Sequence, residues 1–167
     1  LKAVVTGTRD KVAEKMADLR VADSMTEIFN LFRRCNRYID ETMPWVLAKD
    51  EASKDRLATV LYNLVEGITI GASLLSPYMP ETSEKIFAQL NTSMVEFDNL
   101  ATFGNYKSGT KVTEKPQILF ARLDEKEVME KAKVLMEKQA ASVKAANAAV
   151  EEDTVIDIEP KDEITFD

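Results

Sequence analysis

A single tryptophan, Trp45, stands directly after Pro44. Proline fixes φ, so a ring held behind it loses little conformational entropy when something stacks on it. Base–aromatic stacking contributes about 1–3 kcal/mol per base, and single-stranded RNA loops are the elements that offer unstacked bases to such a ring. Arg33, Arg34, Arg37, Lys49 and Lys54 cluster around the same segment and could meet phosphates. Each of these cations also fits a plain solvated face, and Trp45 equally fits a core plug at a helix end. Asn36 and Tyr38 fit hydrogen bonding within the fold before they fit RNA contact. Side-chain chemistry alone leaves these alternatives open.

Other chemistry is excluded more firmly. The chain has no histidine and one cysteine, Cys35. It therefore has no internal disulfide, no zinc site of the usual Cys/His type, no Ser-His-Asp or Cys-His arrangement and no histidine base. Five scattered glycines form no phosphate loop. Asp40 and Glu41 are neighbours in sequence and point apart on a helix, so they share no acid/base site. The free cysteine and seven methionines fit a reducing, cytoplasmic setting. No run of about 18 uncharged apolar residues spans a membrane, and the charged opening is not a signal peptide. The net charge of −7 belongs to residues 151–167, where eight acidic side chains face only Lys161; the rest of the chain carries 21 charges of each sign. The overall charge therefore does not oppose a local RNA contact.

The elements that would position these residues are helical. Val12, Met16 and Leu19 recur at helical spacing, so the chain opens inside a helix, as a fragment of a longer protein would. Asp23 and Ser24 are N-cap candidates for the next helix, with Glu27 as capping-box partner. Its apolar stripe is Met25, Ile28, Phe29, Phe32, Cys35 and Ile39, with Cys35 read as a small buried hydrophobe, and Pro44 ends it. After a loop through residues 47–50, a third helix from Ser53 carries Leu57, Val60, Leu61, Leu64, Val65, Ile68, Ala72 and Leu75. Gly67 and Gly71 inside it each cost about 1 kcal/mol relative to alanine, which predicts close approach of another helix. A shorter helix starts at Pro80. Residues 91–123 lose the period, with residues 117–122 reading as an extended segment, and a helix returns from Asp124 to about Ala149. The sum is all-α: an antiparallel helix bundle with a long C-terminal helix and an acidic tail. Three parts are expected: a helical domain over 1–123, a helix over 124–150 that returns to or projects from it, and an acidic linker over 151–167.

Residues 36–50 (Asn-Arg-Tyr-Ile-Asp-Glu-Thr-Met-Pro-Trp-Val-Leu-Ala-Lys-Asp) resemble the signature of the anticodon-binding domain of bacterial methionyl-tRNA synthetases, which has the class I synthetase bundle fold. Residues 56–66, 74–82, 103–104, 109–112 and 119–124 extend the resemblance in order. Residues 163–167 look like the opening of the tRNA-binding OB-fold module that many of these enzymes append.

The resemblance implies recognition of the CAU anticodon of methionine tRNA. It also implies ATP and magnesium chemistry in a catalytic domain ahead of Leu1, no cofactor or metal in this chain, and homodimerisation through the appended module. The family reads the anticodon with an asparagine and an arginine on one helix and a tryptophan opposite. Trp45 matches that tryptophan, whereas the other two fall ahead of residue 1; Asn36 and Arg37 are not their counterparts. The candidate RNA-binding residues are thus Trp45 first, then Pro44, Lys49 and Arg37. The chain is expected to hold one wall of the pocket, to expose an apolar groove and to bind tRNA weakly by itself. The alternative is a helical interaction or dimerisation module without RNA contact.

Overall fold

The computed structural model describes residues 1–153. It divides into two units, Leu1–Leu119 and Phe120–Asp167. Among the described residues there are helices and irregular segments and no strand.

In the first unit, α1 (Lys2–Ala17) packs against α2 (Val21–Thr42). A one-turn helix α3 (Pro44–Leu47) leads through a 3-10 turn, Glu51–Ser53, into α4 (Lys54–Leu75), and α5 (Pro80–Leu90) follows. The core is Val5 and Val12 from α1, Ile28, Leu31 and Cys35 from α2, and Val60, Leu64, Ile70, Leu74 and Leu75 from α4, with Leu100 closing it. Removing each such side chain from water stabilises the fold by about 1.5–3 kcal/mol for the larger aliphatics.

The helices stand where periodicity puts them, with corrections at their faces and ends. On α2 the buried line is Ser24, Ile28, Leu31 and Cys35, while Phe29 is exposed. Of the expected stripe, Ile28 and Cys35 are buried and Phe32 and Ile39 pack on the core, whereas Leu31 takes the place expected of Phe29. The helix starts at Val21, and Ser24 caps nothing. Its hydroxyl is fully buried 2.5 Å from the Tyr78 hydroxyl and donates to the carbonyl of Val21, joining α2 to the segment after α4. Leu19 is not core: it is 87% exposed and left-handed at φ 59°, in the joint between α1 and α2.

Gly67 and Gly71 meet the close approach their cost predicts. A Cβ on Gly67 would lie 3.0 Å from Cys35 Sγ and 3.4 Å from Val5 Cγ2; on Gly71 it would lie 2.6 Å from Phe32 Cε1. The two glycines let α1 and α2 seat against α4. Glu51–Leu75 is long and apolar enough to cross a membrane by length and composition, although its charged residues keep it from being an uncharged run. Its inward residues are those of the bundle core, and it carries the buried Glu66.

That carboxylate is the main feature the sequence reading lacks. Glu66 is fully buried; Oε1 accepts the backbone N–H groups of Gly104 (2.7 Å) and Asn105 (2.8 Å), and Oε2 that of Tyr106 (2.7 Å). Tyr62 donates its hydroxyl to the Tyr106 carbonyl, and Tyr106 donates its own to Leu90. The irregular segment after α5 is thereby strapped across α4. Glu66 is the only Asp, Glu, Lys or Arg between Arg56 and Glu81, and that isolation is the signal that marks it.

In the second unit, α6 spans Glu125–Asp153. Asp124 starts it: its side chain accepts the N–H groups of Lys126 and Glu127, and Glu125 and Glu127 stand where the helix dipole favours negative charge. The rest of the expected acidic linker, with residues 163–167 that look like the opening of the appended module, lies outside the described residues.

Candidate nucleic-acid interface

The segment that ends α2 decides how Trp45 is presented. α2 stops at Thr42 because Met43 turns left-handed (φ 44°, ψ 62°). The residue before a proline is disfavoured in the right-handed helical region, and a left-handed non-glycine costs about 1–2 kcal/mol. Both backbone groups of Met43 are nonetheless used. Its N–H donates to the Ile39 carbonyl at 2.8 Å as the last bond of α2, and its carbonyl accepts from Val46 at 2.8 Å and Leu47 at 3.3 Å. Pro44 occupies the first position of α3, where no N–H is needed. A helical turn, Pro44–Leu47, thus precedes the expected loop over residues 47–50 and takes in its first residue.

Leu47 anchors that turn against the core, and α3 packs on α4. Trp45 is 52% exposed and is not a member of the core cluster. The structure thus favours a presented ring over a core plug. Exposed Met43 and Val46 flank it.

The turn closes on Asp50. Its carboxylate accepts the Ser53 hydroxyl at 2.6 Å and the Ala52 N–H at 3.1 Å, and these bonds, the hydroxyl first, hold its pKa below the ordinary 3.8. Lys49 N–H donates to the Val46 carbonyl, so Lys49 lies on the same turn as Trp45; its side chain is exposed and has no ion pair among the described residues.

The other cations are differently placed. Arg37 lies on α2, 77% exposed, with Nε donating to Glu41 at 3.0 Å, and Arg34 donates to the other oxygen of the same carboxylate. Lys54 pairs with Glu51, and Arg33 donates to Asn30. Tyr38 accepts from Asn63 within the bundle, while Asn36 is exposed. Of the candidate set, Pro44, Trp45 and Lys49 therefore share one turn and Arg37 does not. Met43 and Asp50, which shape that turn, were not among the candidates; a left-handed methionine has no signature in composition or period.

Comparison with known proteins bears on the whole of the first unit. Residues 1–140 match the family model of the anticodon binding domain of methionyl tRNA ligase. Methionine–tRNA ligase of Clostridium acetobutylicum is 39% identical over 153 residues, 92% of this chain and 24% of that protein. The enzyme of the same name from Clostridium perfringens is 41% identical over 160 residues, 96% of this chain and 23% of its own length. Apo methionyl-tRNA synthetase of Mycobacterium tuberculosis superposes with a TM-score of 0.66 at 27% identity, over 73% of this chain and 25% of that one. The chain spans about a quarter of the length of the relatives it matches. It belongs to the family of anticodon-binding domains of methionyl-tRNA ligases.

Proposed function

We propose that the chain recognises the CAU anticodon of methionine tRNA, as the RNA-reading part of a cytoplasmic ligase that attaches methionine to that tRNA with ATP and magnesium. The ATP site and the chemistry belong to a catalytic domain outside residues 1–167, and any homodimer contact to an appended C-terminal module. The carrying observation is the half-exposed indole of Trp45 on a turn fixed at both ends, by the Met43 backbone and by core-packed Leu47. Stacking of one anticodon base on that ring is worth about 1–3 kcal/mol, or about five- to 150-fold in affinity. Pro44 stiffens the turn. Lys49 offers a cation to the backbone phosphates beside the stacked base, and Arg37 is a more distant electrostatic contributor.

The test is Trp45→Ala in the complete ligase. Methionine activation by ATP should be unchanged, while kcat/KM for tRNA aminoacylation falls by at least about fivefold. An unchanged kcat/KM for tRNA would end the proposal and return the chain to the interaction-module alternative.

A further inference from the structure

We propose that Met43 is a positioning residue for Trp45, acting through its left-handed backbone and not through its side chain. The inference rests on the anticodon reading for its functional half and stands on geometry for the rest. Met43 is one of three non-glycine residues with positive φ among the described residues, together with Leu19 and Asn91. It is the only one of the three that is followed directly by a helix beginning with proline.

Its N–H ends α2 and its carbonyl starts α3, so one residue sets the angle between the long helix and the turn that carries the ring. Exposed on the surface, its side chain adds little to the core. Strain held at a joint of this kind persists only where the surroundings over-determine it. Here they do: Ile39, Val46 and Leu47 bond to the joint, and Leu47 is held by the core. A residue that refuses the left-handed region would splay the turn towards an extended joint, because Pro44 bars α2 from running on. That change swings the indole away from its present direction while the bundle below stays intact.

Two substitutions separate backbone from side chain. Asparagine tolerates the left-handed region and shares none of methionine's apolar character, whereas valine, being β-branched, opposes it. Trp45 is the sole tryptophan, so its fluorescence anisotropy decay reads the turn without any RNA. In the isolated chain, Met43→Val should give Trp45 a larger fast-motion amplitude, and Met43→Asn should leave the decay as in the native protein. Both should unfold within a few degrees of the native chain.

In the complete ligase, Met43→Val should raise the KM for methionine tRNA about tenfold with methionine activation unchanged, and Met43→Asn should stay within about twofold. A native anisotropy decay in Met43→Val would overturn the proposal. So would a loss in Met43→Asn as large as that in Met43→Val, because the side chain would then be the agent. Failure of the anticodon reading is seen separately, as a tRNA KM and kcat indifferent to Trp45→Ala, and in that case the anisotropy of the two Met43 variants still decides the positioning role.

Discussion

The carboxylate of Glu66 and the backbone N–H of Tyr106, 40 residues apart, meet at 2.7 Å inside the protein. With the N–H groups of Gly104 and Asn105 on its other oxygen, Glu66 carries what a short helix or strand would otherwise supply to a segment that has neither. Hydrogen bonds to a charged acceptor contribute about 1.5–3 kcal/mol, and a buried donor left empty costs about 1–3 kcal/mol. Glu66→Ala should therefore destabilise the chain by about 3–5 kcal/mol. Glu66→Gln, which keeps one carbonyl oxygen but turns an NH₂ towards the remaining donor, should cost less. Urea unfolding measures both. A loss in Glu66→Ala no larger than that of exposed Glu81→Ala would show that the strap holds without its carboxylate.

How much of this was open to sequence reading depends on the range of the interaction. The helices follow from periods of three and four, and Gly67 and Gly71 announced a helix crossing because their cost needed an offset. The exact face of α2 did not follow: Phe29 and Leu31 are equally apolar, and only the packing of α1 and α4 selects Leu31. Glu66 was passed over for a related reason. A helical pattern reports which side chains are apolar, not which charge meets three backbone N–H groups that lie 38, 39 and 40 residues further along the chain. At the candidate site, Trp45 and Pro44 were legible because their types are rare, whereas the dihedral angle of Met43 is invisible in any count.

The two glycines of α4 should answer differently to the same change. Alanine gains about 1 kcal/mol of helix propensity over glycine. At Gly67 the new Cβ would press on Cys35 Sγ at 3.0 Å, which small adjustments relieve, so Gly67→Ala should fall near neutral. At Gly71 it would enter the Phe32 ring at 2.6 and 2.8 Å, forcing that ring to move. Overpacking of this kind costs about 1–3 kcal/mol, and Gly71→Ala should be destabilising overall. Denaturation midpoints of the pair decide it; equal values would mean that Phe32 moves aside freely.

Stability should also fall on the alkaline side. Burial pushes the Cys35 thiol above its ordinary 9.0, against a weaker pull from Arg34. Burial, with Glu66 adding to it, pushes the Tyr62 hydroxyl above 10.0. A group whose pKa is raised by folding contributes stability that is intact below its unfolded value and is lost as pH climbs through its folded value. The thermal midpoint should therefore show no loss from these two groups below pH 9.0 and decline above it, first from Cys35 and then from Tyr62. Tyr62→Phe should remove the later part of the decline, at a cost near neutral pH of about 1 kcal/mol for the bond to Tyr106. An alkaline profile unaltered by Tyr62→Phe would assign the whole decline to other groups.

Lys49 and Arg37 separate by salt dependence. Each phosphate neutralised on a single strand contributes about −0.7 to the slope of log affinity against log salt. Lys49 is exposed, shares the turn with Trp45 and has no ion pair among the described residues, so a phosphate can take it without breaking anything. Arg37 must first leave Glu41, which also holds Arg34. Titration of the complete ligase with methionine tRNA over a salt series should show Lys49→Ala weakening binding and flattening the slope by about 0.7. Arg37→Ala should change the slope by less than half as much, because the freed Glu41 still answers to Arg34. Equal flattening in the two variants would place Arg37 on the RNA backbone beside Lys49, and the reverse order would move the phosphate path off the Trp45 turn and onto α2.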